Sequence, residues 1–211
     1  MNFSQTVTKH GGTAIVWRQS TYIRNNAWQN QAFATRNGGV CAGAVAYFLY
    51  TSKDDGTTPV NLPAALNTAM GKKVVELVMI VNLDGGDGTN TALTLAHFAQ
   101  TKLWPFDALS SSSIMHKIYS KYGYYTINIS NVSNINSIQS FHGGHSMGFI
   151  YQQNRCVFFD PEEGFAVFNA SNQNKKASDA TYKHKATSFM RDYLENHYSS
   201  MAKYNQLAQY H

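Results

Sequence analysis

Three residues of this sequence have side chains suited to acyl-transfer chemistry. Cys41 stands in Gly38-Gly39-Val40-Cys41-Ala42-Gly43, just ahead of a small-residue and aromatic run. A cysteine in the first turn of a helix lies at the positive end of the backbone dipole, which favours the nucleophilic thiolate. Such a thiolate needs a proton donor and acceptor, most often a histidine. Of eight histidines, His145 follows Gly143-Gly144 and opens the apolar run Ser146-Met147-Gly148-Phe149-Ile150. His142, on the loop side of the glycines, is its nearest competitor. His10, His184, His197 and His211 lie in polar terminal segments, and His97 and His116 read as structural residues on helix faces. An imidazole in turn needs an orienting acceptor. Asp160 ends Val157-Phe158-Phe159-Asp160 and is followed by Pro161. Plainer readings stand beside these: a buried thiol packs as a small hydrophobe, and Asp-Pro commonly opens a turn.

The histidine and the aspartate can be related by strand geometry. If Gln153-Asn154 is a two-residue hairpin loop, alternation places His145, Met147, Cys156, Phe158 and Asp160 on one sheet face. Met147 then opposes Asp160, and His145 becomes its diagonal neighbour, about 7–8 Å away at the backbone. A loop one residue longer would put the two on opposite faces.

The elements that must hold these residues emerge from periodicity. Cys41 to Tyr50 is apolar nearly all round, which predicts a buried helix. Weak helical character runs from Asn25 to Thr35. Leu62 to Met70 reads as a short helix. Thr91 to Lys102 reads as another, with Thr89 or Asn90 as its N-cap, and Ser110 to Ser113 caps a helix from Ile114 to Tyr122 closed by Gly123. Asp84-Gly85-Gly86-Asp87-Gly88 lacks the spaced carboxylates of a calcium loop and the Lys-Ser/Thr pair of a phosphate loop, so it reads as a turn. Beyond Gly123 the period becomes two: Tyr125, Ile127 and Ile129 alternate with polar residues. A polar helix over Asn134 to Ser140 precedes three close strands, His145 to Tyr151, Cys156 to Asp160 and Phe165 to Phe168. A C-terminal helix lies near Ser178 to Met201. Helices first and an antiparallel sheet afterwards predict an α+β fold.

Composition narrows the classes of function. The 211 residues favour one domain, and 13% aromatic content argues against disorder. The longest apolar run, Val74 to Leu83, contains Glu76 and Asn82 and is far short of the ~20 residues a bilayer requires, so no integral membrane segment is expected. The N-terminus has no classical signal peptide, and Met1-Asn2 gives no myristoylation signal. Net charge is +5, but the 17 Lys and Arg are scattered, which argues against nucleic acid as a partner.

Three blocks stand in the order nucleophile, base, orienter: Gly39-Val40-Cys41-Ala42-Gly43, Gly144-His145-Ser146-Met147 and Phe158-Phe159-Asp160-Pro161-Glu162-Glu163-Gly164. Together they resemble the YopT/AvrPphB family of bacterial effector cysteine proteases. The resemblance spans Asn37 to Phe168. It implies a papain-like fold in which a helical half carries Cys41 and a sheet half carries His145 and Asp160, with substrate in the cleft between them. It implies Cys41, His145 and Asp160 as a catalytic triad, and a side-chain amide upstream of the cysteine as an oxyanion donor. Asn37 is the nearest such amide, with Gln31 farther back; the Asn37-Gly38-Gly39 turn accounts for Asn37 equally well. Residues 1–36 then form a polar, partly helical N-terminal segment, 37–176 the catalytic core, and 177–211 a C-terminal helix packed on the same domain. The expected partner is a host protein substrate, reached through a bacterial secretion system, with the enzyme a monomer needing no cofactor and no metal. The same triad also suits glutamine deamidation, transglutamination or acyl transfer. Readings from another class are a metal-binding module using His142, His145 and Cys156 or Asp160, and a non-catalytic interaction domain.

Overall fold

Seven short strands build a single antiparallel sheet, some of them alternating like β3 and others, like β4, buried on both faces. The computed structural model describes residues 1–25, 40–54, 62–83, 87–107, 110–130, 144–170, 175–198 and 204–211. Its strands are β1 (Thr13–Val16), β2 (Gln100–Asp107), β3 (Gly123–Ser130), β4 (His145–Gln152), β5 (Arg155–Asp160), β6 (Gly164–Asn169) and β7 (Tyr204–Tyr210). They lie in the order β1-β6-β5-β4-β3-β7-β2, every pair antiparallel. The helices among the described residues are α1 (Phe3–Lys9), α2 (Gln19–Asn25), α3 (Cys41–Asp54), α4 (Leu62–Leu66), α5 (Ala69–Leu83), α6 (Gly88–Leu95), α7 (Ser111–Ile118) and α8 (Lys175–His197). The fold is α+β.

Both faces of the sheet are covered, and each has its own core. On one face α3 packs Val45, Phe48 and Leu49 against Ile150, Val157, Phe159 and Phe165. On the other, α1, α7 and α8 bury Phe3, Ile114, Phe189 and Tyr193 against Met147, Phe149, Phe158 and Phe168. Burying one such side chain contributes roughly 1.5–3 kcal/mol, so the two cores hold the strands from either side. Adjacent residues of β4 therefore point into different cores. Gly148 faces α3, where an added Cβ would lie 2.9 Å from Phe48 Cδ1. Gly43 is needed for the same kind of approach between helices: a Cβ there would come within 2.7 Å of the Val75 Cα of α5.

The hairpin β4–β5 has the register that its two-residue turn predicts, with Phe149 opposite Phe158 and Tyr151 opposite Cys156. Other boundaries differ from expectation. The helix expected over Thr91 to Lys102 runs from Gly88 to Leu95, and its N-cap is Asp87, whose Oδ1 accepts the Asn90 N–H at 2.9 Å. His97 adopts a left-handed backbone at φ 59°, which ends the helix and releases residues 100–107 into the sheet. Leu62 to Met70 divides into α4 and the start of α5 at Asn67-Thr68. α7 stops at Ile118 rather than Tyr122, because the Tyr125 hydroxyl takes up the carbonyls of Ile118 and Lys121, and Gly123 opens β3 instead of closing a helix. The C-terminal helix ends at His197, and the chain then returns as β7, paired with both β3 and β2. Residues 177–211 are thus a helix succeeded by an interior strand. The N-terminal segment contributes α1, an edge strand and α2, and buries Phe3, Val7, Trp17 and Tyr22. The helices expected at Asn25 to Thr35 and Asn134 to Ser140 lie outside the described residues, apart from Asn25 as the last residue of α2. No helix among the described residues is long and apolar enough to cross a membrane.

Candidate active site

Cys41 is the first residue of α3. Val40 precedes it, and the Val40 carbonyl accepts the first helical bond, from Ala44 N–H at 2.9 Å. The thiol therefore sits where the helix presents unpaired N–H groups. It is buried, and burial alone would raise its pKa. A hydrogen bond and the charge of His145, with the backbone N–H groups of Ser146 and Ala42, outweigh that and hold the thiol below its ordinary 9.0.

His145 opens β4 and is also buried. Its Nε2 lies 2.8 Å from Asp160 Oδ1. With Nε2 engaged by the carboxylate, the other ring nitrogen, Nδ1, is the one free to meet the thiol. Burial works against a charged imidazole, but the charge and hydrogen bond of Asp160, joined by those of Cys41, hold His145 well above its ordinary 6.5.

Asp160 closes β5 and has no exposed surface. An ionised carboxylate has about four acceptor sites, and here each oxygen receives two donors. Oδ1 accepts from His145 Nε2 and from the Glu162 N–H, both at 2.8 Å. Oδ2 accepts from Tyr193 Oη at 2.6 Å and Tyr198 Oη at 2.8 Å. Burial would favour the neutral acid, but His145 and these donors keep the carboxyl below its ordinary 3.8. Gly164 ends the Asp160-Pro161-Glu162-Glu163 turn at φ +125°, where a side chain would meet the Ile15 carbonyl of the neighbouring strand. That accounts for a glycine at this point of the motif.

One further side chain ties the cysteine to the turn. Gln19, the first residue of α2, is buried; its Oε1 accepts the Val40 N–H at 3.1 Å and its Nε2 donates to Glu162 Oε1. Its own N–H bonds to the Pro161 carbonyl at 2.7 Å. Beside the cysteine, a polar row crosses three strands on the α3 face: Ser146 Oγ donates to Asn128 Oδ1 at 2.8 Å, and Asn128 Nδ2 to Gln206 Oε1 at 3.1 Å.

The structure thus sets Cys41 beside His145, whose Nε2 is hydrogen-bonded to Asp160. Asn37, Gln31 and His142 lie outside the described residues. Cys156 is not at this place: it faces the α8 core opposite Tyr151, beside Tyr119. Among the described residues, no three His, Cys, Asp or Glu side chains are gathered as a metal-ligand set. Gly43 packs on α5. Sequence reasoning missed Gln19, Tyr193 and Tyr198, for which no local motif exists.

The fold is similar to that of a known avirulence protein. The crystal structure of the Pseudomonas avirulence protein AvrPphB superposes with a TM-score of 0.54 over 86% of this chain and 95% of that one, at 13% identity. At that identity the likeness is one of fold. No protein-family model and no curated protein matches the sequence.

Proposed function

We propose that this chain is a papain-like cysteine protease that acts as a bacterial effector on host proteins. The observation that carries the reading is the thiol of Cys41 against a histidine whose far nitrogen is bonded to the buried carboxylate of Asp160. The resemblance of the three sequence blocks to the YopT/AvrPphB family and the likeness of fold to AvrPphB support it.

In this reading Cys41 and His145 rest as a thiolate–imidazolium pair. The sulfur attacks a substrate amide carbonyl, and the carbonyl electrons move onto oxygen. Collapse of that tetrahedral species breaks the C–N bond as His145 gives its proton to the leaving amine. A thioester remains on Cys41. Water then attacks the thioester, His145 takes the water's proton, and the acid departs with Cys41 restored. Asp160 holds the imidazole's tautomer and orientation throughout. The oxyanion is met by the Cys41 N–H and by a side-chain amide. Asn37 is one candidate for that amide. Gln19 is a second, because it is bonded to the residue next to Cys41 and spends one of its two amide N–H bonds on Glu162.

The same thioester could pass its acyl group to another amine or oxygen, or be formed from a glutamine side chain. Mass spectrometry of a host lysate treated with the wild type or with Cys41→Ala separates these outcomes. New protein termini that appear only with the wild type support proteolysis. A one-dalton gain or an added amine would redirect the assignment to deamidation or transglutamination. Identical lysates would sink the enzymatic reading.

A further inference from the structure

Asp160 is held more tightly than a simple ion pair requires. Oδ1 serves His145 and the Glu162 amide, while Oδ2 is bonded to two phenols, both from the C-terminal end of the chain. A carboxylate beyond Cβ rotates in a broad, roughly two-fold well, so one fixed oxygen determines where the other points. Tyr193 is itself locked: its ring lies edge-on to Phe3 at 5.4 Å and Phe158 at 5.6 Å, and stacks on Phe189 at 5.4 Å. Tyr198, immediately after α8, stacks on the His145 ring at 5.3 Å and 20°. Burial first, and then the Asp160 charge, push both phenols far above their ordinary range, so both remain protonated donors.

We propose that Tyr193 and Tyr198 are positioning residues of this site, fixing Oδ2 of Asp160 so that Oδ1 stays aimed at His145, with the Tyr198 ring blocking rotation of the imidazole away from Cys41. The C-terminal helix, which carries none of the three reacting residues, is then part of the catalytic apparatus. This rests on Cys41 being the nucleophile. Among the described residues, Glu162, Glu163 and His197 are charged or titratable groups near the network. His197 stacks on Tyr193 at 4.9 Å and places Nε2 3.2 Å from Glu163 Oε1.

The test needs no substrate. Iodoacetamide is reacted with the full chain near pH 6 and near pH 10, and modification of Cys41 is separated from that of Cys156 by peptide mass. In the wild type Cys41 reacts rapidly at the lower pH. In the Tyr193→Phe/Tyr198→Phe double variant, which keeps both rings, the rate near pH 6 falls at least about tenfold. The rate near pH 10, where alkali ionises the thiol without help from the imidazolium, stays the same. A purely structural loss would alter both rates together. An unchanged or raised rate near pH 6 in a folded double variant overturns the proposal. If the double variant does not fold, each single Tyr→Phe variant is expected to show part of the fall, and wild-type rates in both overturn it. A wild type that reacts no faster near pH 6 than an ordinary thiol is a different result: it defeats the nucleophile assignment itself, and the proposal with it.

Discussion

Cys41 and His145 reach one another from opposite faces of the same sheet. Cys41 belongs to the helix that covers one face, while the His145 ring stacks against Tyr198 on the side of α8. They meet where β4 begins, at the end of the sheet. Two cores must therefore be correctly packed for one thiol to find one imidazole.

Replacing Cys41 with Ala removes the sulfur and little else, at a position where alanine favours helix. Proteolysis is expected to fall by at least about a thousandfold with the thermal unfolding midpoint nearly unchanged. Quantifying new termini in treated lysate, alongside a melt, checks both halves.

Two opposing shifts set the pH dependence expected of the proposed reaction. Cys41 loses its proton below its ordinary 9.0, and His145 keeps its own well above 6.5. Turnover should rise as Cys41 ionises, at a pH below its ordinary 9.0, and fall as His145 deprotonates, at a pH well above its ordinary 6.5. A rate profile still climbing through pH 9 would contradict the pairing.

Asp160→Ala leaves His145, two phenols and an amide without their shared acceptor. Breaking a buried pair this way costs about 3–5 kcal/mol. The lowered carboxyl contributes stability above 3.8 that is lost as pH falls through its native value, and the raised His145 contributes below 6.5 a stability that is lost as pH rises through its own. The gap between wild type and variant in urea melts should be widest between those limits and shrink in acid.

Gln19→Ala unties Val40 and Glu162 at once. A loss of about 1–3 kcal/mol is expected from the buried N–H left unmet, together with slower alkylation of Cys41. Gln19→Glu, which keeps an acceptor for Val40 but sets two carboxylates together at Glu162, should do worse at neutral pH than at mildly acid pH.

Gly148→Ala tests the contact that sets the height of α3 above the sheet. The added methyl meets Phe48, and overpacking of this kind costs about 1–3 kcal/mol. Because Phe48 and Cys41 share a helix, activity is expected to drop by more than stability alone explains, measured as kcat at a temperature where the variant is fully folded.

Much of this protein can be read from local pattern alone. The period-two run from Tyr125 to Ile129, the Gln153-Asn154 turn and the Asp160-Pro161 corner are all local signals. They lead to β3, to the β4–β5 hairpin and to the diagonal placement of His145 and Asp160, because side-chain alternation needs only the sequence and a turn length. The elements that lay beyond local pattern depend on partners distant in the chain. β7 is polar and weakly periodic, and it becomes a strand because β3 and β2 flank it on both sides. Helix 88–95 ends where His97 turns left-handed and the sheet recruits residues 100–107. Gln19, Tyr193 and Tyr198 have no signature, because their chemistry arises only once the carboxylate of Asp160 and the amide of Val40 are buried beside them. A buried polar group must find its partner wherever the fold supplies one, and only the tertiary structure decides where that is.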